Sequence, residues 1–154
     1  MIRLPSALAE PRKPLRAIVA GWLFAFPPSI ALAILADWLL PTVARPTFVV
    51  TGIETVLVLV LFAPLVETFI MAAALELLLR FVPPALAIAL SAIGWGVAHS
   101  LAAPVWGLVI WWPFLIFSTL YVTWRNRSVL AALAIVTTVH ALQNLGPALL
   151  LLRS

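Results

Sequence analysis

Three ionisable side chains lie in stretches of this sequence that are otherwise apolar. They are Glu67 in Ala-Pro-Leu-Val-Glu-Thr, His99 in Trp-Gly-Val-Ala-His and His140 in Val-His-Ala-Leu-Gln-Asn. An ionisable group at membrane depth costs about 2.5–3.5 kcal/mol on insertion scales and usually marks a functional site. Asn144 follows His140 by four residues, so a helix would place both side chains on one face.

These residue types suit hydrolysis. A carboxylate can act as a general base toward water, and histidine and asparagine can donate hydrogen bonds to a developing oxyanion. The same two histidines and carboxylate could alternatively hold zinc with one position open for water. Each side chain taken alone could also serve a structural purpose, by forming a hydrogen bond that holds two helices together. Their joint occurrence in one apolar chain favours a functional site.

The composition indicates an integral membrane protein. Of the 154 residues, 65% are hydrophobic and 9% are charged, whereas soluble domains carry about 25% charged residues. The length suits one domain. Since a spanning helix needs about 20 apolar residues, the chain has room for about five, and we predict an all-α, polytopic membrane helix bundle. The chain has no cysteine, which excludes disulfides, thiolate zinc sites and a cysteine nucleophile.

Prolines and polar turns divide the apolar sequence into five predicted spans. A cytoplasmic tail at residues 1–14 precedes a single transmembrane domain at residues 15–154. The spans cover residues 15–40, 48–80, 85–101, 104–124 and 128–152. Pro27-Pro28 should kink or break the first span, and Pro64 should bend the second span or split it. Ser128 is predicted to cap the fifth. Spans two, three and five must therefore bring the three ionisable side chains together.

The distribution of basic residues predicts the orientation in the membrane. With five spans, seven basic residues fall on one side and two on the other. The first set is Arg3, Arg12, Lys13, Arg16, Arg80, Arg125 and Arg127, and the second is Arg45 and Arg153. Cytoplasmic loops carry the excess of Lys and Arg. We therefore predict a cytoplasmic N-terminus and a C-terminus outside.

A second glutamate on the predicted second span has a different setting. Glu76 lies near a membrane edge, four residues before Arg80. That spacing predicts an ion pair within one helix. We therefore interpret Glu76 as structural.

The order and spacing of the polar residues resemble the CPBP family of intramembrane proteases, also called the CAAX-protease and bacteriocin-processing or Abi family. Its three motifs are Glu-Glu-x-x-x-Arg, Phe-x-x-x-His and His-x-x-x-Asn. The matching segments here begin at Glu67, Trp95 and His140, and the resemblance covers about residues 50–148. The third motif is the most specific. Thr68 and Ala72 stand where the family has its second glutamate and its arginine.

The resemblance implies an endopeptidase that cleaves a membrane-tethered peptide or protein. Glu67 would activate the water, while His99, His140 and Asn144 would position it or stabilise the oxyanion. The implied location is the bacterial cytoplasmic membrane, the implied partners are that substrate and the lipid bilayer, and no nucleic acid is involved. The resemblance does not decide whether zinc is a cofactor. Losing glutamate and arginine together leaves no unpaired buried charge, so rate and substrate class are affected more than the catalytic set.

Two other functions stay open on the residues alone. A non-catalytic scaffold or immunity protein with the same fold would explain the missing glutamate–arginine pair, and it predicts that Glu67, His99 and His140 can be replaced without loss of phenotype. A small proton- or metal-coupled carrier could use the same polar groups. The chain lacks the repeated halves that many carriers have, which argues against the carrier.

Overall fold

The fold is an all-α bundle of five long apolar helices, seen in a computed structural model that describes residues 8, 10–47 and 52–152. The helices are α1 (Pro14–Leu39), α2 (Gly52–Leu78), α3 (Pro84–Ala102), α4 (Pro104–Arg125) and α5 (Val129–Leu151). Each is long and apolar enough to cross a membrane, and the described residues contain no strand. The predicted fold class and its five spans are confirmed.

Local chemistry explains where the helices begin. Pro14, Pro84 and Pro104 each lie in the first turn of a helix, where the missing N–H would have no helical partner in any case. The oxygen of the Ser128 side chain accepts a hydrogen bond from the Ala131 N–H at 3.2 Å. The predicted N-cap of α5 is therefore confirmed.

Helix α1 continues through Pro27 and Pro28, so of the two predicted outcomes, a kink or a break, the break does not occur. A proline at position 28 leaves the Phe24 carbonyl without its usual helical donor. The Trp112 Nε1–H of α4 donates to this carbonyl at 2.8 Å. This bond replaces the lost helical bond and ties α1 to α4.

Helix α2 also continues through its proline, but its winding changes along its length. It is α-helical over Gly52–Val56, π-helical over Leu57–Phe62 and α-helical again over Ala63–Leu78. Pro64 lies at the start of the last segment, so it does not split the span. In a π-helix the Leu59 carbonyl would bond the N–H of residue 64, and proline has none. That carbonyl is left for a partner on another helix.

Helix α4 lies at the centre of the bundle and packs against each of the other four helices. Its fully buried aromatic side chains, Phe114, Phe117, Tyr121 and Trp124, are among the largest in the core. Its backbone approaches α3 so closely that a Cβ on Gly107 would collide with the Gly96 carbonyl oxygen. Small residues permit such close helix pairs in membranes.

Part of the predicted N-terminal tail packs against the bundle. Leu8 is buried in the hydrophobic core, and Arg127 Nη1 donates to the Pro11 carbonyl at 2.9 Å. The tail is thereby held at the turn between α4 and α5. Residues 1–7 and 9 lie outside the described part of the chain.

Candidate active site

The four predicted site residues line one cavity of about 290 Å³ inside the bundle. Glu67 comes from α2, His99 from α3, and both His140 and Asn144 come from α5. The structure thus brings together residues that lie far apart in the sequence. Most other lining side chains are apolar and come from α1 and α4. They include Phe26, Ile30, Ala33, Val105, Val109, Ile110, Pro113, Phe114 and Phe117.

Glu67 and His140 face each other across this cavity. The distance between Glu67 Oε2 and His140 Nε2 is 3.6 Å, which is just beyond hydrogen-bonding range. The side chain of His140 is 4% exposed and that of Glu67 is 25% exposed. The imidazole packs against the rings of Phe117 and Phe114, with centroid distances of 4.7 and 5.4 Å. These rings fix His140, while Glu67 keeps room for another partner.

His99 is oriented by a backbone hydrogen bond within α3. Its Nδ1 lies 2.9 Å from the Trp95 carbonyl oxygen. A carbonyl can only accept, so Nδ1 is the donor, and in the neutral ring Nε2 is an acceptor. Trp106 packs edge-on against the imidazole at 4.9 Å, and Phe114 contacts both histidine rings. His99 can therefore accept a hydrogen bond from a group in the cavity.

Asn144 bridges α5 and the π-helical segment of α2. Its Nδ2 donates to the Leu59 carbonyl at 3.0 Å. This is the carbonyl that Pro64 cannot satisfy, so the amide completes the backbone of the helix that carries Glu67. An amide has two N–H donors and an acceptor oxygen, so Asn144 keeps hydrogen-bonding capacity for the cavity.

Gln143 is a polar cavity residue that the sequence prediction left out. It lines the cavity and is 8% exposed. Its Oε1 has no hydrogen-bond partner within the described residues. The available signal was its position three residues after His140, because side chains three apart share a helix face. Gln143 thus adds a second side-chain amide to the α5 wall of the cavity, beside that of Asn144.

Thr68 and Ala72, which replace the second glutamate and the arginine of the family's first motif, lie outside this cavity. Thr68 is 1% exposed and Ala72 is 6% exposed, and neither is part of the cavity wall. Ala72 belongs to the hydrophobic core. A buried hydroxyl, which has no hydrogen-bond partner among the described residues, and a buried methyl group therefore stand where the glutamate–arginine pair would have been. Neither leaves a buried charge without a partner.

An ion pair lies at the rim of the cavity. Arg45 Nη1 contacts Asp37 Oδ1, and both side chains are substantially exposed. Asp37 lies near the end of α1, Arg45 follows in the connection to α2, and both line the cavity. The cavity is therefore polar at its rim and around Glu67, with apolar walls between.

Within the described residues, the histidine and carboxylate side chains do not gather into a metal centre. No group of three or more His, Cys, Asp or Glu residues there is placed to hold a metal ion. A catalytic zinc uses three protein ligands and one open position. Glu67 and His140 approach each other to 3.6 Å, and His99 does not form a three-ligand group with them. These residues do not fit a catalytic zinc in this arrangement.

No family model, no curated protein and no solved structure matches this chain. The resemblance to the CPBP family therefore stays a prediction that rests on the motif residues and their order. The cavity and the contacts around Glu67 do not depend on that resemblance, because they are properties of this chain itself.

Proposed function

We propose that this protein is an intramembrane endopeptidase in which Glu67 activates water. The observation that carries the proposal is one cavity in which Glu67 faces His140 at 3.6 Å, with His99 and Asn144 in the same walls. Ionisable groups at membrane depth are costly and are usually functional. Hydrolysis explains why this chain would keep a carboxylate there without a full set of partners.

The proposed reaction begins with a water molecule beside Glu67. The carboxylate removes one proton from this water, and the water oxygen bonds to the scissile carbonyl carbon. Donors from Asn144 and His140 stabilise the negative charge that develops on the carbonyl oxygen. Glu67 then passes the proton to the leaving nitrogen while the C–N bond breaks. The products are a carboxylic acid and an amine.

His99 has a separate role in this scheme. Because its Nδ1 donates to the Trp95 carbonyl, the Nε2 of the neutral ring accepts a hydrogen bond from the attacking water. That bond would point a lone pair of the water at the substrate. His99 is thus proposed to orient water, and the oxyanion contacts fall to α5.

The proposed location is a bacterial cytoplasmic membrane, with the N-terminus in the cytoplasm and the C-terminus outside. Arg80, Arg125 and Arg127 lie at one end of the bundle, which the positive-inside rule places in the cytoplasm. Because successive spans alternate in direction, Asp37 and Arg45 lie at the other end. The proposed substrate is a membrane-tethered peptide or protein, cut in the half of the bilayer farther from the cytoplasm.

Mass spectrometry of membrane-protein termini tests the function directly. Cells would carry the wild type, Glu67→Gln or Glu54→Gln at equal expression. Glu54 is an exposed carboxylate near the start of α2, outside the cavity, so its variant is the matched control. We expect new peptide ends with wild type and Glu54→Gln only. Identical termini in all three strains would refute the endopeptidase.

A second candidate is a non-catalytic scaffold or immunity protein with the same fold. The bond from Asn144 to the Leu59 carbonyl favours it, since it is an interhelical contact that needs no reaction. The burial of Ala72 in the core, where the family has arginine, points the same way. Under this alternative, the Glu67→Gln strain keeps any phenotype of the wild type.

A further inference from the structure

Helices α1 and α2 are consecutive in the sequence and form two walls of the cavity with their backbones well separated. Among the described residues, no Cα of α1 lies within 8 Å of a Cα of α2. Helix α1 packs against α4 and α5, and α2 packs against α3, α4 and α5. Nevertheless Ile30 and Ala33 of α1 line the same cavity as Leu59 and Ala63 of α2. A cleft therefore separates the two helices beside the cavity.

The wall that α1 contributes to the cavity includes exposed surface. Ile30 lines the cavity and is also 40% exposed. In a membrane-spanning helix, such an exposed apolar side chain faces lipid. The deep wall is polar by contrast, with Glu67, His140 and Gln143.

We propose that the cleft between α1 and α2 is a lateral entrance for an apolar polypeptide segment in extended conformation. This inference rests on the proposed endopeptidase function and names its substrate class. A cavity of about 290 Å³ is at the lower limit of ligand sites, about 300–1,000 Å³. A helix with its side chains is about 10–12 Å across, so the segment must unwind to reach Glu67.

The polar groups of the cavity match the needs of such a segment. Lipid cannot satisfy the N–H and C=O groups of an unwound backbone. The amides of Gln143 and Asn144 lie in the wall where those groups would arrive. The Asp37–Arg45 pair at the rim would meet a polar or charged residue that flanks the apolar segment. The expected cleavage site is thus close to the end of a membrane span.

Site-directed spin labelling tests the entrance without any need for catalysis. The chain has no cysteine, so one introduced thiol carries one nitroxide. Ala33→Cys places the label on the cavity wall, and Ala20→Cys places it on the same helix against the core. Both positions are half-buried and six residues from an end of α1. In lipid vesicles we expect more frequent collisions with dissolved oxygen at Ala33. Equal or fewer collisions there would overturn the entrance.

Tying the helices together tests whether substrate uses the cleft. The double variant Ala33→Cys/Leu59→Cys would be joined with a bismaleimide that contains a reducible disulfide. Reduction cuts the tie but leaves both adducts in place, so the same molecule is its own control. We expect cleavage to be lost in the tied protein and restored on reduction. Equal cleavage in both states would overturn the entrance. If the wild type cleaves nothing, the proposed function fails, and the oxygen measurement alone decides whether the cleft is open.

Discussion

Two of the three glutamates on helix α2, Glu76 and Glu67, have sharply different surroundings. Glu76 accepts two hydrogen bonds from Arg125, at 2.6 and 2.7 Å, and a third from the Tyr121 hydroxyl at 2.9 Å. Within the described part of the chain, the one polar contact of the Glu67 carboxylate is with His140 Nε2 at 3.6 Å. A carboxylate bound in the first way joins two helices, whereas the second is available to water. The hydrogen-bond partners, more than the residue type, distinguish Glu76, a structural carboxylate, from Glu67, the carboxylate proposed to act as the base.

The largest expected effect comes from the free carboxylate. Glu67→Gln should lower the cleavage rate by about 100-fold or more, because an amide cannot take the proton that general-base catalysis transfers. The unfolding temperature in detergent should stay at the wild-type value, since glutamine keeps the size of the side chain. Rates on an identified substrate, together with tryptophan fluorescence on heating, check both expectations. A rate close to wild type would remove Glu67 from the mechanism.

Asn144 combines a structural contact with a place in the candidate site, because it binds a backbone carbonyl and also lines the cavity. Asn144→Leu should reduce the free energy of unfolding by about 1–3 kcal/mol, the cost of leaving the Leu59 carbonyl unpaired. It should also lower cleavage. Asn126→Leu makes the same change in the exposed turn after α4 and should shift stability by less than about 0.5 kcal/mol. Equal effects of the two variants on unfolding would contradict the bridge to α2.

Replacing Glu76 should have the opposite effects to replacing Glu67: it should lower stability and leave cleavage unchanged. Glu76→Gln is expected to lower the free energy of unfolding by about 1–2 kcal/mol, a charge-assisted pair discounted for its partial exposure. Cleavage per folded molecule should not change. A double-mutant cycle with Arg125→Ala would measure the coupling between the two side chains. Strictly additive losses would mean that the pair contributes nothing to stability.

Tyr121→Phe should have the smallest effect. It removes one of the three hydrogen bonds to Glu76 and keeps the ring in the core, so the expected loss is about 0.5–1.5 kcal/mol. Cleavage should be unaffected. Chemical denaturation of the variant beside the wild type would measure the difference. A larger loss than that of Glu76→Gln would show that the hydroxyl has a role beyond this carboxylate.

The sequence prediction paired Glu76 with Arg80, and the structure corrects the partner to Arg125. Spacing of four residues identifies neighbours on one helix, but Arg125 belongs to another helix and is 49 residues away. Helix α1 continues through Pro27-Pro28 instead of breaking there, and a second helix is again involved. The Phe24 carbonyl accepts a hydrogen bond from Trp112 on α4, a contact that local sequence cannot indicate.

Other features were predictable because their physics is local. Apolar length sets the five spans, and the Ser128 cap depends on a side chain three residues from its donor. The motif residues do meet in one cavity, although their roles stay a prediction. The π-helical segment and the amide of Gln143 were not foreseen. Both depend on how α2 and α5 pack, which no pattern within either helix encodes.

The π-helical segment also has a consequence for how α2 can vary. A π-helical turn holds one residue more than an α-helical turn spanning the same rise. Deleting one residue from Leu57–Phe62 would restore regular winding and keep the two flanking segments nearly in register, because the wider turn absorbs the extra residue. Glu67 would therefore still face the cavity. The change would fall on the backbone acceptor, because in regular winding Pro64 leaves unpaired the carbonyl four residues before it, and the amide of Asn144 would have to meet a different oxygen.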